Sequence, residues 1–196
     1  MVNKANLPLL RQQFSILKVM EPENFERLMA QYLSPIYNFV YRLTGNFEQA
    51  TDITQETFIK VWKNLKRFDE AKSFKPWLFA IARHTAIDWL RKRRLIPFSD
   101  LKDQEDNDNN ESFENKISDP LPLPDELFRR AELASLLEDA LAKLAINDRT
   151  IILLHHLEDL TFTEIAKIIN QPMNTTKSRY RRALTALRQV LLTAPQ

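Results

Sequence analysis

The chain of 196 residues contains no cysteine and a single glycine, Gly45. Without cysteine it cannot form a disulfide framework, a thiolate zinc site, an iron–sulfur cluster or a thiol nucleophile. With one glycine it cannot build the glycine-rich loops that bind phosphates in P-loop and dinucleotide-binding proteins. A β-rich chain of this length would normally use several glycines in turns, so the composition predicts an all-α fold.

Long apolar runs are also absent, since no stretch of eighteen consecutive apolar residues occurs in the sequence. The apolar stretches near the N-terminus are short and interrupted, and they do not resemble a secretory signal. We therefore expect no membrane insertion and a cytoplasmic location, which the absence of cysteine also fits.

Residue patterns typical of catalysis are missing as well. His155 and His156 are adjacent, so their side chains are expected to point in different directions and not to share a metal as an i, i+4 pair does. His84 has no histidine near it, and no serine lies in a nucleophile elbow. We expect no enzyme activity, no metal and no cofactor.

The net charge of +2 conceals an uneven distribution along the chain. Residues 1–99 carry +7, residues 100–126 carry −8 and residues 127–196 carry +3, and no acidic residue follows Glu164. High charge, low hydrophobicity and alternating prolines at 120, 122 and 124 predict a flexible linker between two basic domains. The predicted division is a flank at 1–22, a first domain at 23–96, an acidic proline-rich linker at 97–126 and a second domain at 127–194.

The first domain has apolar residues at helical spacing in three segments. Residues 24–44 form the first helix, which the Ser34-Pro35 step should kink or divide. Gly45 is placed to end that helix, and Asn46 is placed to cap the next one, which runs to about residue 68. A third helix should extend from about Ser73 to residue 94. The residues expected to face inward from the second helix are Ile53, Phe58, Val61, Trp62 and Leu65.

The second domain should contain helices near residues 125–144, 148–157, 161–170 and 175–192. Thr161 and Glu164 have the spacing of a capping box. Ala166 allows two helices to cross closely, and Asn170 tolerates the positive φ that a helix-turn-helix requires. The final helix then presents hydroxyls and cations suited to a DNA major groove. An ordinary helical hairpin with a solvated basic face is the alternative interpretation.

Two further patterns are open to two interpretations. Basic residues from Arg83 to Arg94 alternate with tryptophans, which suits melted single-stranded DNA, although helix-terminal cations beside core tryptophans give the same pattern. Asp52, Gln55 and Glu56 share one helical face, which is either a docking surface for a basic partner or simply a solvated face.

Together these segments resemble the bacterial RNA polymerase sigma factors of the extracytoplasmic-function (ECF) type, part of the sigma-70 superfamily. Residues 52–62 (DITQETFIKVW) are similar to region 2.2 of that family, and residues 74–94 (FKPWLFAIARHTAIDWLRKRR) are similar to regions 2.3 and 2.4. Residues 161–166 (TFTEIA) and 175–184 (TTKSRYRRAL) are similar to region 4.2.

The resemblance implies a promoter-specificity subunit that binds the β and β′ subunits of core polymerase and both duplex and melted promoter DNA. It implies core-polymerase contacts by Asp52, Gln55 and Glu56. It implies minus-ten contacts with the non-template strand by Asp69, Lys72, Ser73, Arg83, His84 and Arg91. It implies minus-thirty-five contacts by Thr175, Lys177, Ser178, Arg179 and Arg182. It also allows an anti-sigma factor as a partner. Thr176 stands where the family usually has an aliphatic residue.

Two other functions are compatible with the patterns taken without the resemblance. A helix-turn-helix regulator would bind duplex operator DNA tightly without polymerase. A helical adaptor would use its basic faces to bind acidic proteins, and its binding to DNA would show only a non-specific dependence on salt.

The resemblance places the acidic linker in the path of polymerase that leads toward the RNA-exit channel, where its charge would mimic nucleic acid. Replacing the acidic residues of the segment 103–114 with their amides should therefore weaken holoenzyme assembly or alter promoter escape. Polymerase binding and abortive transcription assays measure both effects. Unchanged behaviour in both assays would contradict mimicry.

Overall fold

A computed structural model describes residues 22–69, 71–95 and 124–193, in which seven α-helices and no strands are present. The helices are α1 (Pro22–Thr44), α2 (Phe47–Asn64), α3 (Phe74–Leu95), α4 (Pro124–Ala142), α5 (Ile146–His156), α6 (Phe162–Ile168) and α7 (Met173–Thr193). A 3-10 turn at Leu65–Arg67 extends α2. The predicted all-α fold is confirmed. The flank up to residue 21 and the linker over 97–123 lie outside the described residues.

Helix α1 runs without division through Pro35, where the sequence predicts a kink or a break. Proline removes one backbone hydrogen bond from a helix. Ile36, Phe39 and Val40 follow it immediately and are almost completely buried. Their packing maintains the helix across the missing bond.

The junction between α1 and α2 follows the predicted capping pattern. Gly45 has a φ of 71°, and its backbone N–H donates to the Tyr41 carbonyl at 2.7 Å. Asn46 is the N-cap of α2, and its side-chain oxygen accepts a hydrogen bond from the Gln49 backbone at 2.9 Å. Glycine is favoured in this left-handed conformation because it has no Cβ. The chain can therefore reverse within two residues.

Helices α1, α2 and α3 form the first bundle. Its core contains Ile53, Phe58 and Val61 of α2, as predicted, together with Leu78 and Phe79 of α3. The ring of Trp77 is partly buried and lies 4.8 Å from the ring of Phe68 and 5.5 Å from that of Phe74, centroid to centroid. This aromatic group covers the end of α2 and the start of α3.

Helices α4 to α7 form the second bundle, in which α6 and α7 are the predicted helix-turn-helix. Thr161 and Glu164 form the predicted capping box at the start of α6. Asn170 has a φ of 52°, as expected for the turn. The Gln171 N–H donates to the Ala166 carbonyl at 2.9 Å, and the Asn170 N–H donates to Lys167 at 3.3 Å. This pair of bonds is a Schellman motif, which satisfies the last carbonyls of α6.

The two bundles pack against each other, with α5 on α1, α6 on α3 and an apolar core that continues from one bundle to the other. The guanidinium of Arg149, on α5, donates to the carbonyls of Arg42 at 3.3 Å and Leu43 at 3.0 Å, at the end of α1. It also donates to the carbonyls of Ala142 and Leu144, where α4 ends. One side chain therefore caps the C-termini of two helices from different bundles.

A second polar contact across this boundary joins Lys75 of α3 to Glu158. The Lys75 ammonium lies 2.9 Å from a Glu158 carboxylate oxygen and donates to the Glu158 backbone carbonyl at 2.8 Å. Burial raises the pKa of the Glu158 carboxyl above its ordinary value, and the hydrogen bond from Lys75 only partly opposes this. Burial of the Tyr32 phenol on α1, followed by the charge of Glu158, raises the pKa of Tyr32.

The turn of the helix-turn-helix yields a test of its backbone conformation. Replacing Asn170 with alanine should lower the free energy of unfolding by about 1 kcal/mol, because a Cβ without a compensating polar group is disfavoured at positive φ. Replacing Asn170 with glycine should leave stability nearly unchanged. Urea unfolding followed by circular dichroism measures both variants, and equal stability of the two would contradict the assignment.

The buried carboxyl of Glu158 predicts a specific dependence of stability on pH. Because its pKa is raised in the folded protein, its contribution to stability is full below the unfolded pKa and is lost as pH rises through the folded pKa. We expect Glu158→Gln to gain stability relative to the wild type as pH rises from about 4 to about 7. Urea unfolding at several pH values measures the difference.

The matched control for that series is Glu132→Gln, which removes an exposed negative charge from α4. The difference in unfolding free energy between Glu132→Gln and the wild type gives the general effect of losing one negative charge. A wild-type-minus-Glu158→Gln difference that stays constant over the pH range would contradict the prediction.

Candidate polymerase and nucleic-acid interfaces

The predicted polymerase-docking residues lie on the outer side of α2. Asp52 and Gln55 are exposed and Glu56 is half-buried, while Ile53 and Val61 point into the core on the other side. The Glu56 carboxylate pairs with the Lys60 ammonium at 2.8 Å, and Lys60 also donates to the Thr85 hydroxyl of α3 at 3.2 Å. The outer face of α2 is thereby connected to α3.

Two apolar side chains that the sequence analysis did not assign to this face also belong to it. Ile59 is 53% exposed and Trp62 is 45% exposed. The prediction that Trp62 points inward is wrong: its ring packs on Phe25 at 4.7 Å, at the edge of the bundle. Because seven and ten residues separate them from Asp52, both share its side of the helix. Their helical spacing from Asp52 is the signal in the sequence that would have assigned Ile59 and Trp62 to this face.

The loop before α3 contains three of the predicted minus-ten residues, Asp69, Lys72 and Ser73, all of them exposed. The Asp69 carboxylate accepts a hydrogen bond from the Ala71 N–H at 3.1 Å and lies 3.3 Å from the Lys72 ammonium. The backbone hydrogen bond, followed by that from Lys72, lowers the pKa of Asp69. The loop therefore presents an ionised carboxylate beside a cation.

Two of the predicted minus-ten residues on α3, His84 and Arg91, are exposed along the helix. Arg91 pairs with Asp88 at 3.3 Å. Partial burial of the ring, followed by the nearby Arg83 cation, lowers the pKa of His84, while Asp88 opposes this. At neutral pH His84 is therefore an uncharged imidazole that can both donate and accept a hydrogen bond. The side chains of residues 93–95 lie outside the described part of the chain.

Arg83 is separated from those residues because its side chain is buried between the two bundles, with 7% of its surface exposed. One terminal nitrogen donates to the side-chain oxygen of Asn147 at 2.7 Å, and the other donates to the Ile168 carbonyl at 3.4 Å. Burial lowers the pKa of this guanidinium. The structure thus brings five of the six predicted minus-ten residues to the surface and places Arg83 against the second bundle.

The predicted minus-thirty-five residues lie on the N-terminal half of α7. Thr175, Lys177, Ser178 and Arg182 are exposed. Thr176, on the opposite side, is completely buried, and its hydroxyl donates to the Pro172 carbonyl at 3.1 Å. A threonine can therefore occupy this buried position, because its hydroxyl has a backbone partner.

Arg179 differs from its neighbours on α7 because it already has an anionic partner. Its guanidinium lies 3.2 Å from the carboxylate of Asp148, in the first turn of α5, and both side chains are about one-quarter exposed. The ion pair orients Arg179 relative to the surface that α7 presents.

An aromatic cluster fixes α7 against α5 and α6. The Tyr180 hydroxyl lies 2.8 Å from Nε2 of His156, and the His155 ring stacks on Phe162 at 4.5 Å. The two histidine rings are 5.2 Å apart and both contact Tyr180, so the expectation that they point in different directions is wrong. Tyr180 reaches both rings because its side chain crosses the end of α5. This cluster determines the angle at which α7 is presented.

No group of three or more histidine, aspartate or glutamate side chains is arranged to bind a metal in the part of the chain that the structure covers. None of the helices described here is both long enough and apolar enough to span a membrane.

Comparison with known families matches both bundles. Residues 28–96 match the family described as Sigma-70 region 2, and residues 134–187 match that described as Sigma-70, region 4. The first match covers α2, α3 and the loop between them, and the second covers α6 and most of α7.

Individual relatives agree with these matches. The ECF RNA polymerase sigma factor SigW of Bacillus subtilis (strain 168) is 30% identical over 93% of this chain and 97% of its own length. The ECF RNA polymerase sigma factor SigX of the same organism is 31% identical over 85% of this chain and 83% of its own. The sigma factor RpoE from Bartonella quintana, solved in complex with the anti-sigma factor NepR, has a TM-score of 0.66. It is 25% identical and covers 88% of this chain and 99% of its own.

A fold of two helical bundles, one with a helix-turn-helix, and full-length relatives at this identity define a sigma factor of bacterial RNA polymerase. The chain belongs to the ECF sigma factors, which direct promoter-specific initiation of transcription.

Proposed function

We propose that this sigma factor binds core RNA polymerase through the outer face of α2, with Asp52, Gln55 and Glu56 as polar contacts. Ile59 and Trp62 supply exposed apolar surface on the same face, which suits an interface with an apolar centre and a polar rim. The partner surface is the β′ subunit by resemblance, and the β subunit completes the assembly.

Promoter recognition is assigned to two separate surfaces. Asp69, Lys72, Ser73, Arg83, His84 and Arg91 read the melted non-template strand of the minus-ten element. Thr175, Lys177, Ser178, Arg179 and Arg182 contact the duplex minus-thirty-five element. The observation that carries this proposal is α7, whose exposed hydroxyls and cations lie opposite a buried Thr176 within a completed helix-turn-helix.

The chain acts in this proposal by binding and by assisting strand separation, without catalysis or a cofactor of its own, in the cytoplasm. The domain limits are 23–96 and 127–194, with the acidic linker 97–126 between them. An anti-sigma factor is a further partner, which the solved relative bound to NepR supports.

Reconstitution with core polymerase tests the function directly. The protein should produce transcripts from a defined subset of a broad promoter pool, whereas core polymerase alone should not. Tight operator binding without polymerase would favour a helix-turn-helix regulator instead. No promoter-dependent transcript with a polymerase of verified activity would contradict the proposal.

Paired variants separate the two binding surfaces. Asp52→Asn combined with Glu56→Gln should weaken binding to core polymerase about tenfold, because two charged rim contacts are lost. Lys177→Gln should instead lower the salt dependence of promoter binding by about one counterion. Fluorescence anisotropy with labelled polymerase and labelled promoter measures the two effects separately.

The matched controls are exposed residues away from both surfaces. Glu132→Gln on α4 removes a negative charge and Lys143→Gln removes a positive charge, both in the second bundle and outside the outer face of α2 and the N-terminal half of α7. Neither should change the corresponding binding constant or salt slope. Effects of the controls equal to those of the paired variants would contradict the site assignments.

A further inference from the structure

A ridge of apolar side chains runs along the edge where α1 and α2 meet. Leu33 on α1 is 49% exposed, and Phe47 at the start of α2 is 50% exposed. The Tyr37 ring joins the two helices here, since it meets the Phe47 ring edge-on at 5.9 Å. At the other end of the edge, the Trp62 ring packs on that of Phe25. We call Leu33, Tyr37, Phe47 and Trp62 the apolar ridge.

No helix among the described residues covers the apolar ridge. Helix α3 packs on a different side of α1, where the Phe39 ring lies 5.3 Å from the Phe79 ring. The second bundle contacts the end of α1 through Arg149. The proposed polymerase contacts account for Trp62 alone among the four side chains of the ridge. The other three therefore need a different partner.

The segment that precedes α1 has the sequence pattern of an amphipathic helix. Residues 1–21 lie outside the described residues, but their apolar side chains recur at spacings of three and four positions. These spacings place four of them on one helical face: Leu7, Leu10, Phe14 and Leu17. Asn6 is suited to cap such a helix, and Pro8 is tolerated in its first turn. The sequence therefore predicts a helix over residues 7–18 with an apolar face to bury.

The charges of the segment and of the ridge are complementary. Residues 1–20 contain no acidic residue, and their three basic residues are seven positions apart on one side of the predicted helix: Lys4, Arg11 and Lys18. Two exposed carboxylates adjoin the ridge, Glu26 seven positions before Leu33 and Glu48 next to Phe47. Exposed ion pairs contribute little energy, but they orient a docked segment.

The connection to α1 brings the segment to one end of the ridge. Phe25, in the first turn of α1, contacts Trp62, so the chain enters α1 beside that ring. Pro22 disfavours helical backbone at the residue before it, so a turn over residues 19–21 can reverse the chain. A helix over residues 7–18 is about 18 Å long, which is about the rise of α1 from Phe25 to Tyr37. The segment therefore has the length needed to follow the ridge.

We infer that residues 7–18 dock along the apolar ridge as a helix of the same chain and, by covering Trp62, compete with core polymerase for the outer face of α2. The docking is driven by removal of apolar surface from water on both sides. The competition rests on the proposed function, whereas the docking does not. Polymerase binds only molecules in which the ridge is uncovered, so its apparent affinity falls by the uncovered fraction.

The absence of cysteine from the chain allows the docking to be measured at one introduced thiol. In L33C, the rate of reaction with N-ethylmaleimide reports how often the ridge is uncovered. Adding L10S/F14S should raise that rate about fivefold, the ratio for a ridge covered in about four molecules of five. Mass spectrometry of samples quenched at intervals measures the rate, with no polymerase or DNA present.

Two matched controls accompany this measurement. Q31C places the thiol at an exposed position on a different side of α1, so its rate should not respond to L10S/F14S. Replacing the two polar residues between Leu10 and Phe14, as Q12S/Q13S, should leave the L33C rate unchanged.

Two results would overturn the inference. Equal L33C rates with and without L10S/F14S would do so, and they are the result expected if the segment serves a lipid surface or another protein. Protection of L33C that increases with protein concentration would also do so, because it would show that a second copy covers the ridge.

Polymerase binding tests the competition in chains that retain Leu33. L10S/F14S should lower the dissociation constant for core polymerase about fivefold, because the covered fraction is removed. Q12S/Q13S should bind like the wild type, and fluorescence anisotropy with labelled polymerase measures all three proteins. A faster L33C reaction without a change in this constant would overturn the competition. A faster L33C reaction where none of the three binds polymerase would contradict the proposed function and leave the docking supported.

Discussion

The arrangement of the two bundles depends on the side chain of Arg149. Helix C-termini carry partial negative charge on carbonyls that lack intrahelical partners. The ends of α1 and α4 meet at this one guanidinium, which donates to carbonyls of both. Lysine would bring one point of charge, whereas the planar fork of arginine can address several acceptors in fixed directions. This cap joins the start of α5, which also carries Asn147 and Asp148, to the end of α1.

Packing of the two bundles leaves two of the predicted binding surfaces exposed and buries Arg83, which belongs to a third. The outer face of α2 and the N-terminal half of α7 point away from the boundary and stay exposed. Helix α3 has exposed and buried side chains next to each other. His84 and Arg91 are exposed, whereas Arg83, adjacent to His84, is buried. Successive residues on a helix differ in direction by about 100°, so one helix can bury one side chain at the boundary between the bundles and expose the next to solvent.

Features governed by neighbouring residues were predictable from the sequence. The Gly45 C-cap, the Asn46 N-cap, the Thr161 capping box and the Asn170 turn all depend on backbone preferences within a few positions. Two features governed by distant residues were not predictable. Trp62 has apolar spacing but lies at the rim against Phe25, and Arg83 is part of a basic run but contacts Asn147, 64 positions away. Side-chain type indicates what a residue can bind, while tertiary packing selects which partner is near it.

The ion pair between Asp148 and Arg179 has a consequence for how the recognition helix discriminates between DNA sequences. A cation that already has a carboxylate neighbour 3.2 Å away contributes little to long-range attraction toward phosphates. Its orientation is instead set before DNA arrives, so less side-chain entropy is lost on contact. In the proposed function, the general affinity for the polyanion comes from Lys177 and Arg182, which are exposed on the same helix. Arg179 is suited to selectivity, since a restrained guanidinium rewards only a correctly placed acceptor and gives little to any other sequence.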